Sequence, residues 1–363
     1  MDLHPSARSP HSMNVFVLAL ALAPASLVSE ATPETRSLGW SDAATAPGAP
    51  VAALPDWIHL YGDLRVRIEH SGEFDAAGND RTRGRMRARA GANLQISEEL
   101  KAEVRLSLIN PNDANNVHID FGGSGPEGQA GMEVGIDRLN FTWLPTEQLT
   151  LRAGKMGLPY VSNPVQGEYL WDGDIQPAGV YAEWRSGTDL ELSARAGHII
   201  VDENPTATEA TMTTVQLGVE RSNAAAGGAS WALHSALSDW GGEDDYLASF
   251  AFAQTEEFLV WDTLLEVHMD DWTVAAEFIQ NLDDESGQDT GLVLGASHGK
   301  GRRAGAHVFA ASYFDFEENA FVSAVAQDHV LRPGTGGPGG VDGFEARWAY
   351  WWNDATELRF WVI

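Results

Sequence analysis

Residues 83–97 read RGRMRARAGANLQIS, and the stretch separates cleanly by alternate positions. The odd positions are Arg83, Arg85, Arg87, Arg89, Gly91, Asn93, Gln95 and Ser97; the even ones are Gly84, Met86, Ala88, Ala90, Ala92, Leu94 and Ile96. A period of two held this long marks a β-strand with one polar and one apolar face, and leaves no room for an amphipathic helix with its period of about 3.6. The same alternation precedes it, with Ile58, Leu60, Gly62, Leu64, Val66 and Ile68 set against His59, Tyr61, Asp63, Arg65 and Arg67. It follows in Leu100, Ala102, Val104 and Leu106 against Lys101, Glu103, Arg105 and Ser107. It reaches the end of the chain in Leu358, Phe360 and Val362 against Glu357, Arg359 and Trp361.

Extending this reading places strands near 57–69, 83–97, 99–110, 135–145, 148–156, 177–186, 188–201, 211–223, 228–239, 258–269, 271–282, 290–299, 303–315, 342–352 and 356–363. The connections between them alternate. Tight ones fall at Glu98, Thr146–Glu147, Gly187, Ala224–Gly227, Asp270, Lys300–Arg302 and Asn353–Ala355; long ones lie near 70–82, 111–134, 157–176, 202–210, 240–257, 283–289 and 316–341. Brief turns at one end and extended loops at the other are the asymmetry of an up-and-down barrel in an outer membrane. Only a closed sheet can span hydrocarbon with strands, because an edge leaves N–H and C=O groups without partners. The fold expected is therefore all-β, a transmembrane antiparallel barrel with Leu, Val, Ile, Phe and Ala toward lipid and the charged alternate positions toward a watery lumen. Trp57, Trp143, Trp184, Trp272, Trp348, Tyr350 and Trp352 fit interfacial girdles.

Composition bounds the function. The chain has 363 residues, 37 Gly, 13 Trp and no Cys, with 52 acidic against 23 basic residues and a formal charge of −29. The absence of cysteine excludes disulfides and thiolate metal sites, and the acidity argues against nucleic acid, whose phosphates it would repel. Residues 1–31 have the charged head, short apolar run (Val15–Ala23) and small-residue exit (Ser29, Ala31) of a signal peptide. Residues 32–55, rich in Ala, Pro, Ser and Thr, read as a flexible lead-in, and residues 56–363 as the barrel.

Strand parity raises a difficulty. If the first strand rises from the periplasm, the fifteenth ends outside, whereas single-chain bacterial barrels carry even numbers. Either a closing sixteenth strand is missing, or one has been overlooked at Tyr246–Ala253. Truncation is the simpler reading, since an inserted strand reverses the order of every later connection.

The candidate functional residues are the arginines. Arg65, Arg67, Arg83, Arg85, Arg87, Arg89 and Arg105 share the polar face of three consecutive strands and form one positive wall; Arg138 and Arg152 extend it, and Lys155 joins if Gly154 marks a bulge. The connection 157–176 offers Glu168, Asp172 and Asp174, which would set a transverse field if that loop folds inward. Two readings stay open: the arginines pair with Asp63, Glu69 and Glu103 and keep the lumen wet, or they form an anion site. Asp172 and Asp174 around Gly173 are better read as a turn than as a Ca²⁺ site, which needs six to eight oxygens. The eleven His are scattered, and nothing points to a metal, a cofactor or a nucleophilic site.

Across residues 58–363 the sequence resembles the putative porins of Gram-negative bacteria. The stretches that carry the resemblance are GDLRVRIEH (62–70), DRTRGRMRARAGANLQISEELKAEVRLSL (80–108), GIDRLNFTWLP (135–145), LTLRAGKMGLPYVSNP (149–164) and LWDGDIQPAGVYAEW (170–184). The resemblance implies a 16-stranded outer-membrane diffusion channel for small hydrophilic solutes, not an enzyme, assembled as a homotrimer among outer-membrane lipids. A channel selective for an anionic sugar or polyuronate is the alternative.

Overall fold

The computed structural model describes residues 15–22, 54–72, 80–109, 119–120, 133–203, 208–222, 228–243, 247, 257–326 and 340–363. The first strands are β1 (Val15–Leu22), β2 (Ile58–Ser71), β3 (Arg81–Gln95), β4 (Leu100–Ile109) and the two-residue β5 (Ile119–Asp120). Next come β6 (Glu133–Trp143), β7 (Leu149–Lys155), β8 (Ala178–Ser186), β9 (Leu190–Asp202), β10 (Ala210–Arg221) and β11 (Ser230–Gly241). The remainder are β12 (Leu259–Met269), β13 (Trp272–Asn281), β14 (Thr290–His298), β15 (His307–Phe316), β16 (Val341–Asn353) and β17 (Thr356–Val362). No helix among the described residues is long and apolar enough to cross a membrane.

Leaving β5 aside, β2 to β17 form fifteen strands, each antiparallel to the next in sequence. They match the strands and the alternating short and long connections read from sequence. By themselves they do not close: among the described residues β17 and β2 have no pairing with each other. The seam between them holds β1, which pairs antiparallel with both, from Phe16↔Val362 to Leu22↔Thr356 on one side and from Val15↔Ser71 to Leu22↔Leu64 on the other. In the full-length chain the place that parity leaves open is filled by the apolar run VFVLALAL, inside the segment read as a signal peptide. Its composition suits that place, because a seam in hydrocarbon leaves two rows of backbone groups unpaired and an apolar strand satisfies them. The other candidate strand, Tyr246–Ala253, lies outside the described residues except for Leu247.

The burial pattern is the reverse of a soluble protein's. Gln216 is 1% exposed and its neighbour Leu217 60%; Glu345 is 3% exposed and Phe344 74%. Charged and amide side chains face inward, and the apolar set forms the outer surface, which only a lipid environment accommodates. Trp57, Trp143, Trp184, Trp272 and Trp352 are exposed near the ends that carry the short turns, where one girdle belongs.

Candidate channel constriction

The arginine wall is built by the β2–β3 register. Glu69 stands opposite Arg83, while Arg65 stands opposite Arg87 and Arg67 opposite Arg85, so that there like charges face each other across the ladder. Such pairs persist only when screened or matched by carboxylates. Glu69 serves three guanidinium groups, with Arg67 at 2.5 Å, Arg83 at 2.5 Å and Arg85 at 3.3 Å. Arg87 reaches Asp63 at 3.0 Å.

A bulge completes the pairing. The register of β4 on β6 slips after Arg105, so that Asp137 and Arg138, consecutive in sequence, both turn inward. Asp137 then meets Arg89 at 3.3 Å and also Arg105, while Arg138 meets Glu103 at 3.2 Å and donates to Gln176 at 2.6 Å. Strict alternation misses Asp137. The signal for it is the pair of adjacent polar residues inside GIDRLN, where a regular strand places only one inward.

Connection 157–176 crosses the lumen. On the wall side, Asp174 binds Arg87 at 2.6 Å and Arg89 at 2.9 Å. On the far side Asn163 donates to Glu277 of β13 at 3.0 Å, Gln166 to Glu345 of β16, and Tyr169 to Glu345 at 3.2 Å. Val161 and Gln216 of β10 exchange two hydrogen bonds, at 2.9 and 3.0 Å. Val165 lies against the backbone of Gly295 so closely that a Cβ there would come within 2.9 Å of it.

The three acidic residues expected in this loop separate by role. Asp174 locks the loop to the arginines. Asp172 shapes it, accepting from the Asp174 N–H at 2.8 Å and donating its own N–H to Val325. Glu168 is exposed in the lumen. Burial alone would push the Asp174 carboxyl up, but Arg87 and Arg89, with Arg65 and Arg67 behind them, outweigh it and hold the group well below the usual carboxylate range. The phenol of Tyr160 is pushed up to about 12 by burial.

The basic residues likewise divide. Arg67, Arg83, Arg85, Arg87, Arg89 and Arg105 are ion-paired. Arg65 and Arg152 are half-buried and form no ion pair among the described residues; Arg152 donates to Thr142 at 3.3 Å. Lys155 follows Gly154, whose φ is +118°, and its ammonium donates to the Gln176 carbonyl at 2.7 Å. It therefore braces the base of the loop.

Sequence reading missed a second inward segment. Residues 317–326, expected only to lie in the long connection 316–341, carry the apolar run NAFVSAVA (319–326), which is buried throughout and includes the short 3₁₀ turn Ser323–Val325. Phe321 packs on Phe316 at 5.1 Å, and Phe316 on Tyr169 at 5.5 Å. Together with Ile199, Met212, Phe258 and Ile279 these side chains form an apolar cluster on the inner face, opposite the arginines. The clue was the run itself, since a water-facing loop has no use for so dense a series of apolar side chains.

The family described as "Putative porin" matches residues 73–216. No curated protein matches the sequence. Among solved structures, the high-pH form of Pseudomonas putida OprB is 8% identical, covers 96% of this chain and 91% of its own, and has a TM-score of 0.49. A five-substitution mutant of Rhodopseudomonas blastica porin is 11% identical over 97% of each chain, with a TM-score of 0.41. An anion-selective porin from Comamonas acidovorans is 10% identical over 97% of this chain and 98% of its own, with a TM-score of 0.38. The family match agrees with the resemblance read from the sequence, and the inverted burial is that of a barrel in lipid.

Proposed function

We propose that this chain is a porin of the outer membrane of a Gram-negative bacterium, a passive, non-enzymatic channel for small hydrophilic solutes with a preference for anions set by its arginine wall. The observation that supports the preference is Arg65, a half-buried guanidinium without an ion-pair partner among the described residues, beside a ladder of arginines whose charges are already matched. A cation left unpaired at a constriction with low-dielectric walls attracts counter-ions far more than the matched pairs around it do. Arg152, bound only to a hydroxyl, is a second such group.

Planar-bilayer reversal potentials in a salt gradient test this. The wild type is expected to favour chloride, and Arg65→Gln to lose much of that preference, whereas Arg85→Gln leaves Glu69 paired with Arg67 and Arg83 and shifts the reversal potential less. A channel with no ion preference, or one unaffected by Arg65→Gln, refutes the anionic reading. Saturating, blockable current with an anionic oligosaccharide would favour the selective-channel alternative.

Two further assignments belong to the same proposal. Residues 1–31 direct export, and the assembled unit is a homotrimer. Cleavage after Ala31 removes β1 and leaves β17 and β2 unpaired at the seam. N-terminal sequencing of the outer-membrane form decides the first point, with Thr32 expected as its first residue, and crosslinking in membranes decides the second.

A further inference from the structure

Behind the loop 157–176, on the side away from the arginines, lies a cavity between the loop and the inner faces of β10 to β13, with about 90 Å³ open to the centre of a water molecule. That is several times the roughly 10–15 Å³ one water needs by this measure. One side of it is apolar and aromatic, with Trp171 and Trp240 at 6.4 Å between ring centroids and Met212 and Val260 beside them.

The other side carries acceptors. Gln166 is 2% exposed and spends its amide N–H on Glu345, leaving its Oε1 buried with no hydrogen-bond partner. The Oδ1 of Asp262 is likewise buried and without a partner. Glu277 sits diagonally across the β12–β13 ladder from Asp262, within hydrogen-bonding reach of it, and accepts from Asn163 at 3.0 Å. Neither carboxyl has an ion-pair partner among the described residues. Two carboxylates this close repel unless a proton or a cation lies between them, and a buried acceptor without a donor costs about 1–3 kcal/mol. Gln166 calls for a donor and the carboxyl pair for a donor with positive charge, while the rest of the cavity suits an apolar body.

We propose that this cavity binds a small organic ammonium ion, its N–H groups donating to Asp262, Glu277 and Gln166 and its apolar part lying against Trp171 and Trp240. Arginine is excluded from this wall by the sequence itself, since the inward positions of β12 and β13 nearest the cavity are Val260, Asp262, Leu264, Ala275, Glu277 and Ile279. The site is separate from the anion path: its groups belong to the opposite wall and are divided from Arg65 by the loop.

The test uses the full-length protein in detergent micelles at neutral pH, with benzylammonium as the probe and benzyl alcohol and benzoate as its neutral and anionic counterparts, followed by calorimetry and tryptophan fluorescence. Benzylammonium is expected to bind at least about tenfold more tightly than benzyl alcohol, the equivalent of one charge-assisted hydrogen bond. Benzoate is expected not to bind there. Asp262→Asn and Glu277→Gln are each expected to weaken benzylammonium about tenfold or more while leaving benzyl alcohol unchanged. Equal binding of amine and alcohol, no binding of the amine, or amine binding unchanged in both variants overturns the proposal. If either variant fails to assemble, the wild-type ratio of amine to alcohol decides alone.

Discussion

The two walls of the lumen are made from the same kind of strand and yet have opposite chemistry. On β2 to β4 the inward positions are arginines held by Asp63, Glu69 and Asp137, and the loop meets them through one residue, Asp174. On β10 to β15 the inward positions are Met212, Val260, Ile279, Phe314 and Phe316 with a few carboxyls among them, and the loop meets them over a broad apolar area. Both walls show the same apolar face to lipid. The outer face of such a barrel is fixed by the membrane, whereas the inner face is fixed by whatever folds into the lumen, water and charge on one side, an apolar loop on the other.

The sharpest way to break this contrast is to remove the carboxylate that ties the loop to the arginines of β3. Asp174→Asn removes the carboxylate that Arg87 and Arg89 share; Asp63 and Asp137 still hold the two arginines, but the loop loses both of its ion pairs to the wall, and hydrogen bonds to charged groups are worth about 1.5–3 kcal/mol each. The loop stays anchored at Asn163, Gln166 and Tyr169, so the expected result is a wider path on the arginine side: higher single-channel conductance and a reversal potential moved toward chloride. An unchanged conductance would mean that the apolar side alone holds the loop in place.

Next in size is the outer face. Leu217→Arg puts a charge into lipid midway along β10, at a cost of about 2–4 kcal/mol near the bilayer midplane. It is expected to lower the urea midpoint and the yield of heat-modifiable, folded protein, whereas Arg65→Gln, facing the lumen, leaves both unchanged. Equal damage from the two would show that the inside and outside of this barrel are not chemically distinct.

A smaller effect probes the apolar wall. Ala324 is fully buried in the segment 317–326, and Ala324→Leu overfills the space around it at about 1–3 kcal/mol. The expected outcome is flickering of the open-channel current with no change in ion preference, since no charged group moves. A change in preference would tie this wall to selectivity after all.

The sequence made the charged wall legible and the apolar wall nearly invisible, for one physical reason. Alternation reports which positions face lipid only when the other face is polar, as in Arg83 to Ile96. In β15 the order Tyr313, Phe314, Asp315, Phe316 points both phenylalanines inward, because the lumen beside them is filled by Tyr169 and Phe321. Periodicity has no way to tell a lipid-facing phenylalanine from one under an inward loop. Asp137 escaped for a different reason, a bulge, and the closing strand for a third: β1 is separated from its neighbour β2 by 35 residues and from β17 by nearly the whole chain, roughly the separation at which local pattern says nothing about pairing.

The charged side also makes a prediction by its stillness. The Asp174 carboxyl is ordinarily one that titrates near 3.8, and burial would raise it, but the arginines around it hold it well below that value. A carboxyl whose value is depressed in the folded state contributes stability that is fully present above its ordinary value and is lost as pH falls through the depressed one. The loop's lock on Arg87 and Arg89 is therefore complete at pH 7 and still complete at pH 5, and it weakens only at pH values below the ordinary carboxyl range. Conductance recorded at pH 7, 5 and 3 should show no step between the first two that disappears in Asp174→Asn. Such a step would mean that the aspartate titrates like a solvent-exposed group, and that the loop touches the arginine wall without being held by it.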